Sequence, residues 1–262
     1  MSHMLENILY YFVLFGFGLA IGSFVNCLVW RTYNNISVAT GRSRCVHCGR
    51  FLAWYENIPV FSYIFLKGTC RMCHKPIPAH YPAVELLGGL IFLVVGWLNK
   101  NYAAFSEWHL VRDLVFVSIL AIVFLYDLLY QIIMTKLVWF GAAVGVFFNI
   151  FIFHQDIYKL LIGLAVGGGF FLLQYIISRG RWIGGGDVRL GVMMGIWLGW
   201  PNILAALFFS YMLGLVVSIP LLIFKNKQWS SAIPFGTFLA VGTFWALYCG
   251  ESAIEWYIGL LR

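Results

Sequence analysis

Eight apolar segments dominate this chain and limit the folds that it can adopt. A helix needs about 20 mainly apolar residues to cross the hydrocarbon core of a membrane. Only 10% of the 262 residues are charged, against roughly 25% in a soluble domain, which excludes an ordinary soluble globule and a disordered chain. We predict an all-α polytopic membrane protein with about eight transmembrane helices. The segments cover approximately residues 7–30, 83–98, 112–127, 136–154, 159–178, 188–200, 202–224 and 234–250.

One polar insert separates the first segment from the others. It holds four of the six cysteines and four of the seven prolines. We therefore expect a first transmembrane helix at 1–31, a small module at 32–82 and a seven-helix membrane domain at 83–262. Residues 1–4 resemble an expression scar, so that Met4 is the expected native start.

The basic residues predict the orientation of the chain in the membrane. The insert, taken as residues 31–82, carries seven lysines and arginines against one acid, Glu56. Since cytoplasmic loops are enriched in basic residues, the insert is expected on the cytoplasmic side and the N-terminus outside. With eight spans, 13 of the 17 basic residues fall on the cytoplasmic side. This enrichment of basic residues in cytoplasmic loops explains the net charge of +7, which therefore does not indicate nucleic-acid binding.

Two aspartates stand where an apolar segment meets the membrane edge. Asp127 lies in the apolar stretch 124–130, and Asp187 opens the sixth segment. An acid at membrane depth costs about 2.5–3.5 kcal/mol and is by default a functional residue. In the predicted topology the third segment runs inward and the sixth runs outward. Both carboxylates are therefore expected at the same cytoplasmic edge.

Two carboxylates brought together predict an aspartic hydrolase. Like charges at close range do not both ionise readily, so that such a pair shares one proton. The ionised member takes a proton from water, and the protonated member polarises the scissile carbonyl group. Glycines before Asp187 would let an extended substrate backbone approach closely. The expected substrate-binding loop consists of Gly184, Gly185 and Gly186.

Each aspartate also has a structural interpretation. Asp187 follows glycines and precedes an apolar helix, which is typical of a helix N-cap. Asp127 would otherwise be half of an ion pair with Lys136 or Arg189. A transporter that uses both acids as a proton or cation relay is an alternative from another class, although the sequence shows none of the internal repeats that it would have. A membrane-anchored zinc adaptor without catalysis would leave the two aspartates unexplained.

The cysteines of the insert have the spacing of a metal site. Cys45-x2-Cys48 and Cys70-x2-Cys73 form two knuckles that are separated by 21 residues. Four soft ligands suit tetrahedral zinc, and complete coordination by protein predicts a structural ion. A module of this size can hardly fold on its own core, so that the metal would supply the missing stability. Reduced or redox-active thiols are the alternative.

An ordered set of motifs resembles one known family. Asp127 and the Gly-x-Gly-Asp that ends at Asp187 are similar to the GxGD class of membrane aspartyl proteases, and more narrowly to the bacterial type IV prepilin peptidases (prepilin leader peptidase/N-methyltransferase). Two departures are present: Met134-Thr135 replaces the usual Pro-Asp, and Thr237 replaces a proline. Further matching motifs are Gly22-Ser23-Phe24-Val25-Asn26 followed by Arg31, Trp54–Pro59, Tyr81–Leu87 and Ile233–Gly236.

The resemblance implies a substrate and a second activity. Prepilins of type IV pili, or the pseudopilins of secretion machines, would be cut after a glycine that precedes a hydrophobic helix. The new N-terminal amine, usually of phenylalanine, would then be methylated with S-adenosylmethionine. The methyl-transfer candidates that the resemblance supplies are Asn26, Arg31, Trp54, Glu56, Asn57 and Glu85.

Three points stay open at this stage. A peptidase of the same fold without methyltransferase activity is the nearest alternative. Membrane lipid is an expected partner, whereas the oligomeric state and the pilin system are not determined by the residues. The short segment 188–200 is also compatible with a partial span.

Overall fold

The computed structural model describes residues 2–101, 106–224 and 234–260, and within these ranges the chain is almost entirely helical. The described residues form no β-strand and only two isolated β-bridges. A 3₁₀ turn covers Trp54–Asn57, and π-helical residues Phe147–Ile152 continue the fifth α-helix. The α-helices are α1 Ser2–Tyr33, α2 Phe61–Phe65, α3 His80–Asn101, α4 Glu107–Tyr130, α5 Thr135–Val146, α6 Ile157–Ser178, α7 Gly185–Leu198, α8 Asn202–Phe224 and α9 Phe235–Leu260.

The predicted all-α membrane fold is confirmed. Each of the eight apolar segments forms a helix, and the cysteine-rich insert lies between α1 and α3. Among the described residues, six helices are long and apolar enough to cross a membrane: α1, α3, α4, α5 with its π-helical end, α6 and α8. The count of eight spans was therefore approximate. Helix α7 has only 14 residues, and at 1.5 Å per residue it is shorter than a hydrocarbon core of about 30 Å.

The chain forms two compact units, Met1–Leu114 and Val115–Arg262. In the first unit, α1 packs against α3 through glycines that let the two backbones touch. A Cβ atom at Gly22 would lie 2.7 Å from the Cα atom of Glu85, and one at Gly18 would lie 2.8 Å from the Cα atom of Gly89. Small residues of this kind allow close helix packing in membranes. These contacts bring one side of α1 against α3 from Glu85 to Gly96.

In the second unit, α7 is the most buried helix. Leu190, Met193 and Met194 on α7 are fully buried. The ring of Trp197 stacks on Phe116 with 3.9 Å between ring centroids, and its indole nitrogen donates a 2.8 Å hydrogen bond to the carbonyl oxygen of Gly141. These contacts hold α7 in place, and with it Asp187, which lies in the first turn of this helix.

Glycines also let α6 approach α7. A Cβ atom at Gly163 would lie 2.8 Å from the Cα atom of Gly199, and one at Gly191 would lie 2.5 Å from a ring carbon of Phe171. Two of the three glycines 167–169 belong to this contact: Gly167 lies against the backbone of Gly191, and Gly168 lies against Val192, whereas no atom lies within 4 Å of a Cβ atom at Gly169. These glycines serve close helix packing.

Candidate active site and metal centre

Asp127 is buried near the end of α4, with only 4% of its surface exposed. Its Oδ2 atom accepts a 2.9 Å hydrogen bond from the backbone N–H of Thr237 in the first turn of α9. Gly236 lies against the same carboxylate, since a Cβ atom there would be 2.9 Å from Oδ2. The free backbone N–H groups at the start of a helix favour a negative charge. The first turn of α9 therefore orients the Asp127 carboxylate.

Asp187 is the third residue of α7 and is 8% exposed. Its Oδ2 atom accepts a 3.0 Å hydrogen bond from the backbone N–H of Gly184, the residue that precedes the helix. The carboxylate thus closes the first turn of α7, so that the expected N-capping role is part of its environment. Gly185 and Gly186 belong to this first turn, and Gly184 alone of the three lies outside the helix.

The two aspartates lie close together, although 60 positions separate them in the sequence. Their carboxyl groups are near enough for the charge on Asp127 to act on Asp187. The side chain of Ile133 lies between their supporting turns. A Cβ atom at Gly186 would be 2.9 Å from the Cβ atom of Ile133, and one at Gly236 would be 3.3 Å from its Cδ1 atom. The segment between α4 and α5 therefore packs against both turns.

Among the described residues, Asp127 forms no ion pair with Lys136 or Arg189, which the sequence offered as structural partners. The ion pairs among the described residues involve other acids. Arg189 instead donates a 2.5 Å hydrogen bond from its guanidinium group to the hydroxyl oxygen of Thr135. Thr135 stands where the family that the chain resembles usually has an aspartate. In this chain a neutral hydroxyl therefore links the start of α5 to α7.

Sequence reasoning missed two parts of this site. The hydrogen bond from Thr237 comes from the backbone, and a backbone group leaves no signal in the side-chain pattern. Ile133 is an apolar residue between two helices, which alone gives no reason to place it between Gly186 and Gly236. Ile233, the first residue of the motif that ends at Gly236, lies outside the described residues. So do Lys225 and Lys227, two of the 13 basic residues predicted on the cytoplasmic side.

The four cysteines of the insert converge on one point. The Sγ atoms of Cys45, Cys48, Cys70 and Cys73 all lie within 4.8 Å of one another, and those of Cys45 and Cys73 are 4.0 Å apart. Tetrahedral zinc with Zn–S bonds of about 2.3 Å would need sulfur atoms roughly 3.8 Å apart. The cluster could therefore hold a metal ion.

Two similar backbone turns present these cysteines. The N–H of Cys45 donates to the carbonyl of Arg50, and the N–H of Cys70 donates to the carbonyl of Lys75. Hydrogen bonds from the N–H groups of Cys73 and Met72, assisted by Arg50, outweigh the effect of burial and lower the pKa of the Cys70 thiol to about 5. A thiolate is the form that binds a metal ion.

A pocket lies in the first unit, beside this cluster. It is lined by Cys45 and Cys70 and by five of the six methyl-transfer candidates, Asn26, Arg31, Glu56, Asn57 and Glu85. Trp54 does not line it and is 78% exposed. The insert and the ends of α1 and α3 therefore build one concave site from residues that are distant in the sequence.

The charged candidates in this pocket differ in what they bind. The guanidinium group of Arg31 donates to the backbone carbonyls of Ser37, Val38, Thr40 and Gly41, so that it fixes the chain after α1. Glu56 is buried, pairs with Arg50 and accepts a 2.8 Å hydrogen bond from the N–H of Ala53. Glu85 accepts a 2.7 Å hydrogen bond from the N–H of Val60. Arg31 and Glu56 are thus occupied by structural contacts.

Comparison with known protein families also divides the chain into two parts, one for each compact unit. Residues 17–99 match a family model described as Bacterial Peptidase A24 N-terminal domain, and residues 114–219 match the Type IV leader peptidase family. The first match contains the pocket and the cysteine cluster, and the second contains Asp127 and Asp187. No solved structure shows significant similarity to the chain.

Several bacterial proteins named prepilin leader peptidase/N-methyltransferase are similar over most of the chain. The protein of Bacillus subtilis is 31% identical over 246 residues, which cover 94% of this chain and 97% of that protein. The protein of Aeromonas hydrophila is 29% identical, with 95% and 94% covered. The protein of Myxococcus xanthus is 36% identical over 82% of this chain, which spans 64% of that longer protein.

Proposed function

The chain belongs to the type IV leader peptidase family, and from this premise we propose that it cleaves the leader peptide of prepilins and N-methylates the new N-terminus, with Asp127 and Asp187 as the catalytic pair. Its membrane-spanning helices and its family make it a multi-pass protein of the inner membrane. The observation that carries the catalytic assignment is the convergence of two buried, interacting carboxylates at the first turns of α7 and α9.

Cleavage follows from the chemistry of a carboxylate pair. Because repulsion disfavours two adjacent negative charges, the pair holds one proton. The ionised aspartate removes a proton from a water molecule, whose oxygen attacks the scissile carbonyl group. The protonated aspartate donates its proton to that carbonyl group, and the departing amine receives a proton when the C–N bond breaks. Gly184, Gly185 and Gly186 form the proposed substrate-binding loop. Its open space is at Gly185, where no atom lies within 4 Å of a Cβ atom, whereas Gly186 faces Ile133.

The orientation of the chain supplies a reason for this substrate class. The excess of basic residues in the insert supports a cytoplasmic location for it, and with it an external N-terminus and a catalytic edge on the cytoplasmic side. A prepilin whose short leader precedes a hydrophobic helix would present its scissile bond at that edge. Pseudopilins of secretion systems have the same form and belong to the same proposed substrate class.

Cleavage of a prepilin in detergent tests the catalytic pair. We expect Asp127→Asn and Asp187→Asn each to abolish product formation, because each removes one of the two carboxyl groups that share the proton. Asp113→Asn is the matched control. Asp113 is also a buried acid on α4, but its carboxylate binds Asn99 and Arg112. Full activity in either Asp127→Asn or Asp187→Asn would refute the assignment.

The insert is proposed to bind one structural zinc ion. The distances between the four Sγ atoms support four cysteine ligands. Since a complete set of protein ligands leaves no position for substrate, the ion would stabilise the insert and take no part in hydrolysis.

Methyl transfer is proposed to take place in the pocket of the first unit. S-adenosylmethionine, when bound, supplies a methyl group on a positively charged sulfur atom. Arg44 and Arg71 line the pocket and would hold the carboxylate of this methyl donor. Asn26 and Glu85 supply acceptor atoms in the same pocket. Glu56 and Arg50 also line the pocket and form an ion pair with each other.

Mass measurement of the processed pilin tests the second activity. With the methyl donor present, the mature N-terminus is expected to be heavier by one methyl group than the product of cleavage alone. Cleavage without any added methyl group would leave a peptidase of the same fold that does not methylate.

A further inference from the structure

One buried amide in the first unit has an oxygen atom without a partner. Asn26 is 4% exposed and donates a 3.0 Å hydrogen bond from Nδ2 to the carbonyl oxygen of Tyr81. A carbonyl oxygen only accepts, so that this bond fixes the orientation of the amide group. The Oδ1 atom of Asn26 is left buried and has no hydrogen-bond partner among the described residues. Such an atom costs free energy unless a ligand or water satisfies it.

A carboxylate lies on the facing helix, one turn away from that contact. Glu85 is four residues after Tyr81 on α3, and both residues line the same pocket as Asn26. The contact between Gly22 and the Cα atom of Glu85 brings this part of α1 and α3 together. The Glu85 carboxylate accepts a 2.7 Å hydrogen bond from the N–H of Val60 and a further one from the side chain of Ser23, and within the described ranges no cation lies within ion-pair distance of it.

The other charges of the pocket are accounted for differently. Glu56 has Arg50 as its counter-ion, and Arg31 is bound to four backbone carbonyls. Arg71 donates to the hydroxyl group of Tyr55, and the guanidinium group of Arg44 lies over the ring of Phe51. Asn26 and Glu85 therefore form a group of acceptors that contains one carboxylate without a counter-ion among the described residues. Acceptors of this kind suit a group that is both cationic and a donor, which is the description of an ammonium group.

We propose that Asn26 and Glu85 form the site that binds the new N-terminal amine of the cleaved pilin. The inference rests on the proposed methyl transfer and adds which residues recognise the acceptor. The Oδ1 atom of Asn26 accepts one hydrogen bond from the amine, and the Glu85 carboxylate supplies the opposite charge.

The positions of the two residues favour the peptide amine over the amine of the methyl donor. Asn26 and Glu85 lie on α1 and α3, which are membrane-spanning by length and composition. The amine of a processed pilin is attached to a hydrophobic segment and stays at the membrane. The methyl donor is water-soluble and enters from the side that the insert residues Arg44 and Arg71 line.

Binding measurements without the methyl donor test the site. The probe is a synthetic peptide that begins with phenylalanine, continues with an apolar segment and has a free N-terminal amine. Its twin carries a hydroxyl group in place of the amine. We expect the full-length wild type in detergent to bind the amine peptide about tenfold more tightly than the hydroxyl peptide, as a charged hydrogen bond would provide.

Two variants and one matched control identify the residues. Asn26→Leu removes the acceptor, and Glu85→Gln removes the charge while keeping an oxygen for Val60. Each is expected to reduce the preference for the amine to about twofold or less. Tyr10→Phe removes the other hydrogen bond from α1 to the backbone of α3, from Tyr10 to Gly96, and should keep the full preference. Resistance of residues 31–82 to limited proteolysis, compared with that of the wild type, reports that the first unit of each variant is folded.

The outcomes separate this inference from the proposed methyl transfer. A wild type without preference for the amine, or an Asn26→Leu and a Glu85→Gln variant that both keep it, overturns the inference. So does a loss of affinity for S-adenosylmethionine with unchanged peptide binding, because the acceptors would then bind the donor. If the wild type prefers the amine but adds no methyl group, the amine site stands and methyl transfer fails.

Discussion

The backbone N–H of Thr237 donates a 2.9 Å hydrogen bond to Oδ2 of Asp127, across 110 positions of the sequence. Proline, which the family that the chain resembles usually has at this position, has no N–H and could not make this bond. Thr237 is the third residue of α9, where a backbone N–H has no partner within the helix. In this chain, a backbone N–H group in the first turn of α9 therefore orients the carboxylate of Asp127.

Replacing Thr237 by proline should weaken cleavage while leaving α9 intact. Proline is tolerated in the first turn of a helix, so that the substitution removes mainly the donor to Asp127. A hydrogen bond to a charged group contributes about 1.5–3 kcal/mol, and we expect cleavage to slow by about tenfold or more. Initial rates on a prepilin in detergent measure the effect.

Thr237→Ala is the control for this substitution. Alanine removes the hydroxyl group, which donates to the carbonyl of Pro234, but keeps the N–H. We expect cleavage within about twofold of the wild-type rate, because the donor to Asp127 is retained. Equal losses in the proline and alanine variants would show that the side chain, and not the N–H, supports the site.

Gly186→Ala should disturb the packing around Ile133. The new methyl group would lie 2.9 Å from the Cβ atom of Ile133, which is closer than packed carbon atoms can be. Overpacking of this kind costs about 1–3 kcal/mol, so that both the melting temperature and the cleavage rate should fall. Thermal unfolding in detergent and initial cleavage rates are the two measurements.

Gly185→Ala separates this packing effect from contact with the substrate. No atom lies within 4 Å of a Cβ atom at Gly185, and the melting temperature should stay at the wild-type value. A selective loss of cleavage in this variant would support the approach of a substrate backbone at the triple glycine. Identical melting temperatures for the alanine variants at 185 and 186 would contradict the packing role of Ile133.

Much of the fold could be predicted because hydropathy acts over long segments. A helix in lipid must satisfy its own backbone hydrogen bonds, and the eight apolar segments therefore match eight helices. The spacing of the cysteines was equally informative, since two knuckles are the local structures that gather four ligands. The short length of α7 was also visible in the sequence, because the apolar segment 188–200 stops at Pro201.

The details of the catalytic candidate site could not be predicted in the same way. The order of charges and glycines places Asp127 and Asp187 at helix ends, but it does not give the contacts that hold them. Those contacts come from the backbone of Thr237 and from the side chain of Ile133, which packs between two first turns. Both depend on tertiary packing over more than 50 residues. The pocket around Asn26 likewise needs the crossing of α1 and α3, which spacing alone does not define.

Removal of the metal should separate the two activities. Cys45→Ser removes one of four ligands, and we expect the purified variant to lose the single zinc ion that elemental analysis should find in the wild type. Because Cys45 and Cys70 line the pocket of the first unit, methylation should fall with the metal. Cys249→Ser, at an exposed cysteine outside the cluster, should leave both metal content and methylation unchanged.

Prepilin cleavage should survive the loss of the metal. The hydrogen bonds to Asp127 and Asp187 come from Thr237 and Gly184, which both belong to the second unit. We expect the Cys45→Ser variant to cleave within about threefold of the wild-type rate, since none of these bonds involves the insert. A complete loss of cleavage in a folded variant without zinc would contradict this separation.

Glu56 should make the stability of the insert depend on pH. Burial opposes the ionisation of Glu56, but its bonds to Arg50 and to the N–H of Ala53 outweigh burial and hold the pKa of the carboxyl group below its ordinary value of 4.5. A carboxylate with a lowered pKa stabilises the folded state above its unfolded pKa, and this contribution is lost as the pH falls through the folded pKa.

Comparing the wild type with Glu56→Gln isolates the effect, because acid affects the cysteine cluster in both. Resistance of residues 31–82 to limited proteolysis should be higher in the wild type at pH 7, and the difference should shrink below about pH 4.5. Glu107→Gln, at an exposed acid in the first turn of α4, should show no such difference at either pH, and a difference for Glu56→Gln that grows in acid would contradict the proposed ion pair.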